Sequence, residues 1–212
     1  MSPIHHPDES LLIDHATGAL DIGARLVIGG HLGACPACRA TVADIEAVGG
    51  ALLSTLAPAA MDRDALSLAL ARIERPAPVE PPRPQGPSDW IAIPPEAMNA
   101  AAKRRRWAAP GVWVAPVSQG PGGARSYLLR VGAGMSVPRH THRGAEMILV
   151  VKGAYSDGEV RHGPGDFAVN DESVDHQPRA TSDGECVCLI ATDEALVPRD
   201  WVGRLFQPFV GI

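Results

Sequence analysis

Apolar residues recur at two different spacings along this chain, and the change falls at a run of prolines. Up to Arg75 the apolar steps are three or four residues, the repeat of a helix with one buried face. Asp8 is placed to cap a short helix carrying Leu11, Leu12 and His15 and ending near Gly18. Asp21 caps a second, with Ile22, Leu26 and Val27 on its apolar side and Gly29 and Gly30 weakening its last turn. A third starts at Cys35-Pro36, since proline suits the first helical position, and carries Val42, Ile45, Val48, Leu52 and Leu56. A fourth, capped by Asp62 or Asp64, shows Leu66, Leu70 and Ile73 on one face. Residues 1–75 therefore read as a small helical bundle.

Pro76, Pro78, Pro81, Pro82, Pro84 and Pro87 rule out a helix or an interior strand, which makes residues 76–89 a semi-extended linker. Beyond it the runs Val112–Val117, Ser126–Val131, Met147–Val151 and Cys186–Ile190 are of strand length and rich in β-branched residues. Asp157-Gly158 is a hairpin turn signal and Gly163-Pro164-Gly165-Asp166 another turn. Many short strands with glycine and proline corners indicate a jelly roll or barrel over residues 90–212. The expected fold class is α + β in two domains, a helical bundle followed by a β-barrel.

Composition narrows the function by exclusion. The 212 residues carry a net charge of −5, which disfavours a nucleic-acid binder. Lys103-Arg104-Arg105-Arg106 reads as a solvated start to the second domain. No apolar run approaches a membrane span, and the first residues lack the basic start and apolar core of a secretory signal. Four cysteines in two close pairs fit a reducing compartment, so a cytoplasmic location is expected.

Two clusters carry metal chemistry. In the first half, His31, Cys35 and Cys38 are spaced for one tetrahedral ion. Cys35 falls at a helix cap and Cys38 in the first turn, where the dipole favours thiolate. Thiolates with imidazole indicate zinc, and His6 or its neighbour His5 is the candidate fourth ligand. A structural zinc contributes roughly 10–16 kcal/mol of apparent binding free energy, large beside the core of so small a bundle.

In the second half, His140 and His142 stand two apart, so on a strand both rings face one side. Glu146 keeps that parity and His176 arrives from a later strand, while Gly134 and Gly153 allow corners. Three imidazoles and a carboxylate suit a divalent ion, either octahedral with open positions or a closed tetrahedral zinc site. Cys186 and Cys188 share a strand face, either as core residues or as a redox-sensitive pair. No serine-nucleophile arrangement, phosphate loop or dinucleotide fingerprint is present.

In the order of these motifs the chain resembles the ChrR-type anti-sigma factors, a zinc-binding anti-sigma domain joined to a cupin. The resemblance spans nearly the whole length. Zinc ligands then correspond to His6, His31, Cys35 and Cys38, and cupin ligands to His140, His142, Glu146 and His176. The Gly134-to-Gly153 motif matches without a gap; the second departs, with proline directly before glycine in Pro164-Gly165-Asp166. The resemblance implies a regulator, not an enzyme. It would hold an extracytoplasmic-function sigma factor through the zinc bundle and release it under singlet-oxygen-like oxidative stress through the cupin. Helix four, apolar on more than one side, is expected to pack on the bundle with one side and meet the partner with the other. The competing expectation is a cupin dioxygenase or isomerase with an accessory zinc domain.

Overall fold

A computed structural model describes residues 2–74, 90–120, 124–194 and 197–198; the proline-rich segment 76–89 lies outside the described residues. Among the described residues five helices come first, α1 (Glu9–Thr17), α2 (Ile22–Ala34), α3 (Pro36–Leu53), α4 (Ala65–Ile73) and α5 (Pro95–Lys103). The first three caps are the expected ones, whereas Asp64 stands at the start of α4 without a side-chain capping bond. Asp8 accepts the Leu11 N–H at 2.9 Å, and Asp21 accepts those of Gly23 and Ala24 at 2.6 and 3.1 Å. Pro36 opens α3 behind Cys35, whose sulfur takes the N-cap position.

The strands follow as β1 (Arg106–Ala109), β2 (Val112–Gln119), β3 (Arg125–Val131), β4 (His140–Thr141), β5 (Glu146–Lys152) and β6 (Tyr155–Asp157). Then come β7 (Val160–His162), β8 (Phe167–Asn170), β9 (Asp175–His176), β10 (Arg179–Ala180), β11 (Cys186–Thr192) and β12 (Val197–Pro198). Among the described residues six of them form one sheet in the order β1-β2-β3-β11-β5-β8, and two three-stranded sheets, β10-β6-β7 and β12-β4-β9, hold the rest. All the pairings are antiparallel. Asp157-Gly158 closes the β6–β7 hairpin, as the sequence signals.

Every residue of β11 is buried, because the large sheet is covered on both faces. Cys186, Cys188 and Ile190 point inward, against Val114, Tyr127, Ile148 and Val150. Val187, Leu189 and Ala191 point outward and join Val27 and Ile28 of α2 and Ala97 and Ala100 of α5 in one core. The helices thus share a core with the sheet. Gly30 is what lets α2 come this close: a Cβ there would sit 2.4 Å from Leu149 Cδ2. The helix continues past it to Ala34, so Gly30 serves packing rather than the weak last turn the sequence suggests.

Three elements differ from expectation. The helix α5 has no forecast in the sequence pattern; its buried alanines lie flat on β2 and β3, and the basic run at its end is exposed, with Arg105 over the Trp113 ring at 5.6 Å. The apolar period of α3 overshoots its burial: Val42 is buried, whereas Val48 and Leu52 are more than 60% exposed. Helix α1 has 9 residues against 18 in α3, so it covers only the first turns. The helix α4 was expected to lay one side on the bundle, yet none of its residues is buried.

Candidate metal centres

The first cluster forms where three segments meet. The α2–α3 corner brings His31 in the last turn of one helix beside Cys35 and Cys38 at the start of the next, and the N-terminal segment lays His6 over them. His31 Nε2 lies 3.3 Å from Cys38 Sγ, and His6 Nδ1 lies 3.4 and 3.5 Å from the two sulfurs. The four ligand atoms fall within 4.8 Å of one another. His5 turns the other way, toward the carbonyl of Arg161. His31 Nδ1 donates to the Gly165 carbonyl at 2.8 Å, so its Nε2 carries the lone pair that faces Cys38. Burial holds His31 below its ordinary pKa, in the neutral form a ligand needs. Burial, with the Cys35 thiol beside it, pushes the Cys38 thiol up to about 11, so only a cation in the cluster favours its thiolate at neutral pH.

The second cluster lies inside the β region. His140 and His176 face each other across the β4–β9 pair, His142 follows β4, and Glu146 begins β5. His176 Nε2 is 3.1 Å from both His140 Nε2 and His142 Nε2, and Glu146 Oε2 is 3.6 Å from His142 Nε2. The Nδ1 atoms of two rings are spoken for: His140 donates to the Pro138 carbonyl at 2.8 Å and His176 to the Asp157 carboxylate at 2.5 Å. In the neutral rings their Nε2 atoms are then bare acceptors, and two such lone pairs 3.1 Å apart repel unless a cation lies between them. The donor set fits a divalent metal.

Electrostatics agree with that fit. Burial, and then His140 and His176, lower His142 to about 4, so the ring is neutral near pH 7 and its approach to Glu146 is no ion pair. Burial raises Glu146 to about 7, an unfavourable place for an uncompensated carboxylate. Asn170, paired with Glu146 across β5–β8, donates to it at 3.3 Å.

All eight residues singled out in the sequence are thus brought together in two groups of four. The groups that orient them are not marked by pattern: Asp157 reads only as a turn residue, and Gly165 acts through its backbone carbonyl. Cys186 and Cys188 are buried with their sulfurs 3.6 Å apart.

The ChrR cupin-like domain family matches residues 97–195. Over 213 residues, 98% of this chain and 98% of the relative, the sequence is 35% identical to the anti-sigma-E factor ChrR of Cereibacter sphaeroides. The chain belongs to the ChrR-type anti-sigma factors. The ChrR-type architecture is equally close to the solved structure of Rhodobacter sphaeroides SigE in complex with the anti-sigma ChrR, with a TM-score of 0.74 and 34% identity over 90% of this chain and 100% of the solved one. The expected α + β class, helices followed by a cupin-like β domain, is therefore the class of this ChrR-type chain. Among the described residues no helix is long and apolar enough to cross a membrane.

Proposed function

We propose that this chain is a zinc-dependent anti-sigma factor that binds and inhibits an extracytoplasmic-function sigma factor. Membership in the ChrR-type family supports the reading, and one surface carries it. Val48 and Leu52 in α3, Leu56 just after it, and Leu66, Leu70 and Ile73 in α4 are large apolar side chains each more than half exposed, as at sites where a partner docks. A partner with an apolar groove would cover them, as amphipathic helices do when bound.

Residues 1–75 would form the sigma-binding part, with zinc held by His6, His31, Cys35 and Cys38 fixing the start of α3. Residues 90–212 would form the trigger, with a second divalent ion, again zinc in our reading, held by His140, His142, Glu146 and His176. A bound ion would neutralise Glu146 and the facing lone pairs there. Release under oxidative stress needs a differential affinity between two states. The shared core between α2 and the large sheet, together with the contact of His31 to Gly165, is the physical link by which the β region can alter the helices. Co-expression with the sigma factors of the source cell, followed by capture of the full chain, tests the reading. Recovery of one such factor is expected, and recovery of none would contradict it.

A further inference from the structure

A third group of ligand-type side chains sits at the seam between the N-terminal segment and the β region, apart from both clusters. His5 comes from the segment, His162 ends β7, and Asp166 follows the next turn; the ligand atoms of the three lie within 4.8 Å of one another. The His5 and His162 rings are 4.4 Å apart at 43°, too tilted for stacking on each other. Tyr155 stacks on His162 at 4.8 Å and 18°, which fixes that ring. The Nδ1 of His162 is buried and has no hydrogen-bond partner among the described residues. Asp166 Oδ1 accepts the N–H groups of Ile4 and His5 at 2.7 and 3.1 Å, whereas Oδ2 accepts only that of Gly163 at 2.7 Å and keeps a lone pair.

We propose that His5, His162 and Asp166 form a third metal site, for a divalent transition cation of the zinc class, which fastens the segment carrying His6 to the β region. Two imidazoles and one carboxylate make a three-ligand set, with water completing the shell. Having no thiolate and only three protein ligands, the site binds its ion more weakly than the first cluster. Neighbouring residues thereby serve different ions, His5 this one and His6 the thiolate cluster. The proposal is independent of any sigma factor.

The experiment uses the full chain, stripped of metal and titrated with Co2+ and with Zn2+. The wild type is expected to take up one more equivalent, in the micromolar range, than either His162→Gln or His5→Ala. The thiolate-to-cobalt absorption of Cys35 and Cys38 is expected to stay the same in all three. Equal uptake in the three proteins, with that absorption intact, overturns the proposal. Crystals of the wild type grown with Zn2+ decide the matter whatever the variants' folding: anomalous scattering between His5, His162 and Asp166 supports the site, and its absence there overturns it.

Discussion

His31 and Gly165, 134 residues apart in the chain, are joined by a 2.8 Å hydrogen bond from the imidazole Nδ1 to the backbone carbonyl. The bond decides which nitrogen of His31 faces the thiolates, and so it ties the geometry of the first cluster to a turn of the β region. Gly165 has φ of +87°, and a Cβ there would lie 2.8 Å from Pro3 Cγ and 3.1 Å from Ala34 Cβ. The Gly165→Ala change therefore strains the backbone and drives the turn off the helices. A loss of about 1–3 kcal/mol in stability is expected. Weaker metal retention by the first cluster should accompany it, although no ligand is altered. Thermal unfolding and competition with a chelator measure the two effects.

The adjacent glycines of α2 should respond in opposite directions. A methyl group at Gly30 would collide with Leu149, whereas a Cβ at Gly29 meets nothing within 4 Å. Gly30→Ala is expected to cost about 1–3 kcal/mol through overpacking. Gly29→Ala should gain up to about 1 kcal/mol from helix propensity. Denaturant midpoints of the two variants compare them directly.

Asp157 should hold His176 in place from outside the second cluster. The Asp157→Asn change keeps the shape of the side chain but removes the charge that fixes the His176 Nδ1 proton. Metal affinity of the second cluster is expected to fall about 10–100-fold while that of the first is unchanged. Competition titrations on the full chain read both.

Metal uptake by the second cluster should depend on pH through Glu146. Burial raises that carboxyl to about 7, so below this pH it holds a proton that a bound ion must displace. Affinity is therefore expected to rise as pH increases toward 7 and to level off above it. The Glu146 contribution to proton release should be nearly a full proton at about pH 6 and small at about pH 8. Titration calorimetry in buffers of different ionisation enthalpy measures this, and the Glu146→Gln variant should lack the change.

The proposed partner surface gives a sharper test than folding does. Leu68 on α4 is 59% exposed and supports no core. Leu68→Glu is expected to weaken sigma binding by tenfold or more while helicity and metal content persist. Unchanged affinity would remove α4 from the interface.

Much of this arrangement is legible in the sequence because local rules act locally. Asp8, Asp21 and Pro36 mark helix starts by what their own atoms can bond, and His140, His142 and Glu146 stand out as ligand types by their close spacing, although the chain leaves β4 after Thr141 and re-enters a strand only at Glu146. What escapes is set by contacts distant in sequence. The burial of α2 on the sheet depends on Gly30 meeting Leu149, which no periodicity records. The exposed end of α3 has the same apolar spacing as its buried start, since helical period reports a face and not what covers it. His162 carries no mark in the sequence and His5 reads there only as an alternative to His6, until the seam brings both beside Asp166.

In the proposed function, metal at His6, His31, Cys35 and Cys38 shapes a helical surface for a sigma factor. The most direct measurement is the affinity of the full chain for the sigma factor it captures, compared between the zinc-loaded wild type and the Cys35→Ser/Cys38→Ser double variant. Tight binding is expected of the first and a loss of at least a hundredfold in the second, with β-sheet content retained. Equal affinity for the two proteins, or no binding by the zinc-loaded chain, would contradict it.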